Sequence, residues 1–207
     1  MKNNKLHWQN LLTKNDKIGS LRDGMIGHTI KSLTSSSSLL KNKFVLLGVP
    51  DERGVVLNLG NPGSQEGPQE FRNCFYKLYD TSVNAEVNQS YLGELFVDLG
   101  NIKLEKTIEE THENIAIVVQ EVLNFGAEVV FVIGGGHDFS YGSYKGHAQW
   151  SKETIVPIFN FDAHLDVRPV EKNEMNNKNL TCFDTRKMCL TKVRCQENYI
   201  RLKIAPD

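Results

Sequence analysis

Residues 129–138, Val129-Val130-Phe131-Val132-Ile133-Gly134-Gly135-Gly136-His137-Asp138, decide how this chain folds. An unbroken apolar run rich in β-branched side chains makes a strand buried on both faces, as strands of parallel sheets are. Three glycines follow at once, so the chain turns at the strand's carboxyl end, the edge where open α/β sheets take their ligands. The triplet predicts a sharp backbone turn that holds His137 close to a ligand. It matches neither the Gly-x-x-x-x-Gly-Lys of a phosphate loop nor the Gly-x-Gly-x-x-Gly of a dinucleotide site, so a nucleotide-binding reading is weak.

Working outward, residues 44–49 (FVLLGV) form a second buried apolar run, stopped by Pro50. A loop rich in Gly and Pro, residues 58–68, leads to Pro68, which opens a helix and suits its first turn. Phe71, Phe75 and Leu78 fall on one face of that helix and are expected to pack. Residues 95–97 read as a short strand ended by Asp98. Thr107 and Glu110 have capping-box spacing, and Ile108, Ile115, Val118, Val122 and Phe125 continue at helical spacing to Gly126, which stops the helix. Residues 155–161 read as a further strand, with Pro157 near its start or at a bulge. Strands alternating with helices argue for an α/β fold of three layers, a parallel sheet between helices. The segment 1–42 is polar and weakly patterned, with a Ser35–Ser38 linker, and the ordered α/β domain is expected over residues 43–170.

Composition narrows the function classes. The 207 residues carry 24 Lys and Arg against 25 Asp and Glu, a net charge of −1, which excludes a strongly basic nucleic-acid binder. No apolar run approaches the roughly 18 residues of a membrane span, and the first residues lack a signal-peptide core, so a cytoplasmic protein without membrane partners is expected. Cys182, Cys189 and Cys195 fit no common zinc spacing and read as free thiols.

A second cluster carries the chemistry further. Asp162-Ala163-His164-Leu165-Asp166 also follows an apolar run. In extended backbone residues 162, 164 and 166 share one side. Two carboxylates brought together there repel unless a cation joins them. Carboxylate and imidazole donors without thiolate suit Mn²⁺, Zn²⁺ or Fe²⁺. Set against this is a solvated, turn-forming Asp-x-His-x-Asp, which is disfavoured by the second His cluster after a neighbouring strand.

Taken together, GGGHD at 134–138, DAHLD at 162–166 and GVPDERGVVLNLGNPGSQEGPQEFR at 48–72 resemble the arginase/agmatinase/formimidoylglutamase family of binuclear manganese hydrolases. The long match at 48–72 and the GGGHD form favour the formimidoylglutamase branch. The resemblance implies an arginase-like three-layer fold and two Mn²⁺ ions per subunit. By the same resemblance His137 and Asp166 bind one metal, His164 binds the other and Asp162 bridges them, with Asp166 also the catalytic carboxylate. Its reaction is hydrolysis of a small linear amidine, N-formimidoyl-L-glutamate to glutamate and formamide in histidine breakdown, with agmatine-type guanidines as the rival substrates. Arg168 faces the substrate's amino-acid end in that scheme, where a guanidinium fork clamps a carboxylate; a surface salt bridge is the other reading. Asp138 is read either as support for His137 or as a cap on the following helix. His7, His28 and His112 are assigned no role, His147 is read as a surface helix residue, and Tyr141 and Tyr144 as packing. The family also forms homo-oligomers. Its third motif, resembling Ser-x-Asp-x-Asp, has no match in residues 167–207, and 171–207 read as a divergent tail. The expectation is therefore a truncated fold, impaired in hydrolysis, with the second metal site in doubt; a metal-binding chain without turnover is the alternative from another class.

Overall fold

The computed structural model describes residues 7–14, 18–32, 37–80, 91–152, 156–159, 161, 167–168 and 183–184. Short strands β1 (Leu12–Thr13) and β2 (Lys31–Ser32) flank a one-turn helix α1 (Ile26–Thr29). Then come β3 (Phe44–Val49), α2 (Arg53–Leu57), α3 (Gly67–Phe75), β4 (Phe96–Ile102), α4 (Ile108–Asn124), β5 (Val129–Gly134) and α5 (Phe139–Ser151). The sheet runs β1-β4-β3-β5, with β2 also paired to β4. All pairings are parallel except β1 on β4. Phe44 lies opposite both Phe96 and Val129, and Val49 opposite Gly134, so β3 and β5 end together and their carboxyl tips share one edge. Two two-residue strands, β6 (Val167–Arg168) and β7 (Phe183–Asp184), form a separate parallel pair.

Alternation along β3 divides its side chains between two layers. Val45, Leu47 and Val49 meet Ile115, Val118, Val119 and Val122 of α4 in the main core. The capping box forms as the spacing requires: Thr107 Oγ1 accepts from the Glu110 amide and the Glu110 carboxylate accepts from the Thr107 amide. Gly126, at φ +86°, ends the helix. Helix α5 lies close on α4. A Cβ at Gly142 would come within 2.8 Å of the His112 carbonyl oxygen, and one at Gly146 within 2.7 Å of that of Ala116. Residues ahead of position 43 join this core: Trp8 is buried in it, Leu11 and Leu12 pack against it, and β1 and β2 line β4.

The other face of the sheet is covered by α3, and here the packing departs from the apolar pattern. Phe71 and Leu78 are exposed, while Pro68 and Arg72 are buried. Arg72 turns inward because it has a partner. Its Nε and Nη2 bind the two carboxylate oxygens of Asp98 at 2.7 and 2.9 Å, Nη2 also reaches the Gly100 carbonyl at 2.8 Å, and Nη1 the Asn101 side chain at 2.8 Å. The Tyr76 hydroxyl donates to the same carboxylate, and burial followed by the nearby charge of Asp98 pushes the phenol's pKa well up. Asp98 therefore does not end β4; neutralised, it sits inside a strand that continues to Ile102. Beside this network Phe44, Phe75, Phe96 and Phe131 form an aromatic cluster with neighbouring centroids 5.2–6.4 Å apart.

The strand expected at 155–161 is not formed among the described residues. Residues 156–159 and 161 are irregular, Phe159 is 78% and Phe161 97% exposed, and Pro157 has no N–H to give a ladder. Among the described residues no helix is long and apolar enough to cross a membrane.

Candidate metal centre

The loops that leave β3 and β5 meet at the sheet's carboxyl edge. The Gly135 amide donates to the Val49 carbonyl at 2.9 Å and the Gly136 amide to the Asp51 carbonyl at 3.1 Å. The chain bends at Gly135–Gly136 as expected, and none of Gly134, Gly135 and Gly136 needs positive φ to do so. The glycines serve close approach instead. A Cβ on Gly135 would collide with the Asp51 backbone oxygen, and one on Gly136 with the Asp138 carboxylate. The turn can lie flat on its neighbours only without side chains.

His137 emerges from this turn and lines a cavity of about 680 Å³. The triplet, Phe139, Ser140 and Ser143 form one side, and Val156–Phe159 the other. His147 lines the same cavity, so it is not simply a surface residue; its Nδ1 donates to the Ser143 carbonyl at 2.9 Å.

Under the turn is a buried polar layer. Asp51 is buried and accepts from the Arg53 amide at 2.9 Å and from its Nε at 3.0 Å. The same guanidinium reaches the carbonyls of Glu105 and Lys106 and the Thr111 hydroxyl, tying the end of β3 to the start of α4. The hydrogen bond to Asp51, outweighing burial, raises the Arg53 pKa further, so the guanidinium stays charged. Beside it the Asp138 carboxylate pairs with His112 Nε2 at 2.9 Å, both side chains being nearly inaccessible. Asp138 stands at the N-cap of α5 yet makes no capping bond. The cap reading is thus set aside. Its carboxylate goes to α4, a partner that the sequence reading assigned no role. The signal was present: His112 sits four residues after Ile108 and three before Ile115, on the apolar stripe of α4, where a histidine needs a buried partner.

Asp162, His164 and Asp166 lie outside the described residues. Arg168 is described only by its backbone pairing with Asp184. Cys182, Cys189 and Cys195 also fall outside, whereas Cys74 is a free, exposed thiol. Among the described residues no three His, Cys, Asp or Glu side chains converge closely enough to hold a metal ion.

Residues 42–202 match the arginase family. A formimidoylglutamase of Staphylococcus haemolyticus is 33% identical over 132 residues, 61% of this chain and 38% of the relative, so the chain spans well under half of that protein's length. The structure resembles that of a Trypanosoma cruzi formiminoglutamase solved with Mn²⁺, with a TM-score of 0.60 and 30% identity, covering 73% of this chain and 48% of the other. A Bacillus subtilis formimidoylglutamase shares the fold at a TM-score of 0.63, covering 89% of this chain and 54% of that one, with 24% identity.

Proposed function

Because the chain belongs to the arginase family, we propose that it contributes His137, Asp162, His164 and Asp166 to a two-Mn²⁺ site that hydrolyses a small linear amidine, N-formimidoyl-L-glutamate, in the cytoplasm. The observation that carries the proposal is His137, presented to a cavity at the carboxyl tip of β5 by a turn anchored on β3. Support comes also from the Mn²⁺-containing formiminoglutamase that the fold resembles and the formimidoylglutamases that the sequence resembles.

The donor set fits the metal. Neutral imidazoles and ionised carboxylates match a borderline-hard divalent cation, and the two aspartates would neutralise half of the charge of two such ions. When bound, the cations supply the Lewis acidity that makes water a nucleophile near neutral pH. The chain's own residues orient the reactants. His137 would offer a ring nitrogen from a turn held at both ends, Asp162, His164 and Asp166 would complete the set that holds the ions, with Asp162 shared between them, and Asp166 would also serve as the catalytic carboxylate. Arg168 gives the substrate's carboxylate a planar pair of donors. Water adds to the amidine carbon and the C–N bond to the amino acid breaks, leaving formamide and glutamate.

Equilibrium dialysis of Mn²⁺ with the purified chain, compared with His137→Ala and Asp162→Ala, tests the site. Bound Mn²⁺ that both variants lose supports the proposal; undiminished binding by His137→Ala refutes it. Formamide release from formimidoylglutamate, set against urea release from agmatine, decides between the substrate classes, since only an anionic substrate end uses Arg168. A second reading is favoured by one observation: residues 167–207 contain no Asp-x-Asp pair to supply further carboxylates. On that reading the chain binds metal without turnover, and stoichiometric Mn²⁺ with no hydrolysis of either substrate would establish it.

A further inference from the structure

We propose that His112 is a positioning residue, which through Asp138 fixes the turn that presents His137. The proposal deepens the metal-site reading and rests on it for its consequence, though not for its geometry.

Three contacts converge on the His112 ring, and all come from residues within four positions after His137. Nε2 meets the Asp138 carboxylate at 2.9 Å. The ring meets Phe139 edge-on with centroids 5.6 Å apart and Tyr141 at 5.8 Å. The entry to the turn is held from β3, through the Gly135 and Gly136 amides. Its exit is held from α4, through His112. The histidine between them is flanked on both sides by restrained backbone.

His112 Nε2 faces a carboxylate, which can only accept, so Nε2 carries a hydrogen and donates it to Asp138. Packing alone does not account for this arrangement. An apolar side chain of similar size would fill the space but leave the Asp138 carboxylate buried with no side-chain donor among the described residues. The carboxylate's ordinary alternative is the vacant N-cap role on α5, and adopting it means moving the turn.

The test is amide hydrogen exchange by NMR on the whole chain, with His112→Leu, which removes the donor, and His112→Gln, which keeps an N–H at similar reach. Exchange at the Gly136, Ser140 and Tyr141 amides is expected to rise about tenfold or more in His112→Leu and to stay within about threefold of wild type in His112→Gln, with core amides of β3 and α4 unchanged in both. Should His112→Leu fail to fold, Asp138→Ser removes the buried charge and supplies an ordinary cap, and the same local rise is expected. Unchanged exchange at Gly136 in folded His112→Leu or in Asp138→Ser, or a uniform rise throughout the core, overturns the proposal. Mn²⁺ alone, followed by water-proton relaxation, reads the consequence: His112→Leu is expected to bind about tenfold more weakly. If His137→Ala binds Mn²⁺ as well as wild type, the metal reading fails, while the exchange result still judges the positioning role.

Discussion

Replacing Arg72 with methionine isolates the energetic core of the α3 face. The wild-type guanidinium is fully buried and makes four hydrogen bonds, two to the Asp98 carboxylate, one to the Gly100 carbonyl and one to Asn101. Methionine fills much of the volume but supplies no donor. Asp98 keeps the Tyr76 hydroxyl and the Gly100 amide but loses the guanidinium's charge, and the Gly100 carbonyl loses its guanidinium donor. Removing one partner of a buried ion pair costs about 3–5 kcal/mol, most of it the penalty on the charge left behind. For a domain with about 5–15 kcal/mol of stability this is a large share. At a urea m-value of about 2 kcal/mol/M, the midpoint falls by roughly 2 M. Urea denaturation followed by far-UV circular dichroism measures it. The double variant Arg72→Met/Asp98→Asn is expected to recover at least half of the loss, because it removes the charge that the guanidinium balanced. A single-variant loss under about 1 kcal/mol, or no recovery in the double variant, would falsify the reasoning.

Gly135→Ala is expected to destabilise by about 1–3 kcal/mol, since its Cβ meets backbone that cannot give way, whereas Gly134→Ala, with its nearest atom 3.1 Å away, costs less; thermal melts of the two compare them directly. Tyr76→Phe removes a hydrogen bond to a charged acceptor, about 1.5–3 kcal/mol at neutral pH. Because the folded phenol's pKa is raised, its stabilisation is complete below pH 10, the unfolded value, and declines as pH rises beyond that. The gap between wild type and Tyr76→Phe should therefore narrow between pH 9 and 11, and a constant gap contradicts the shift. Thr107→Ala opens the capping box at the start of α4 and is expected to cost about 1 kcal/mol in a urea titration.

Apolar runs and caps were legible in the sequence because each depends on near neighbours. β3, β5, the Thr107–Glu110 box and the Gly126 stop all appear where their local pattern puts them. The reading failed where a distant partner reverses a residue's ordinary preference. Arg72 is buried and Phe71 exposed because Asp98 lies 26 positions away in sequence but 2.7 Å away in space. Asp138 leaves its cap position for His112, a partner equally remote along the chain. At residues 155–161 the apolar run is in the sequence, but β-pairing requires a partner strand and an N–H that Pro157 lacks. Within the site, His137 was legible as a residue at a strand tip. The buried layer that steadies it was not, since Asp51, Arg53, His112 and Asp138 each look unremarkable in their own sequence context.

The seating of Trp8 in the core and of β1 and β2 along β4 has a practical consequence for handling the chain. A fragment cut to begin at residue 43 would expose the flank of β4 and empty the indole's socket. Such trimming should give an insoluble product.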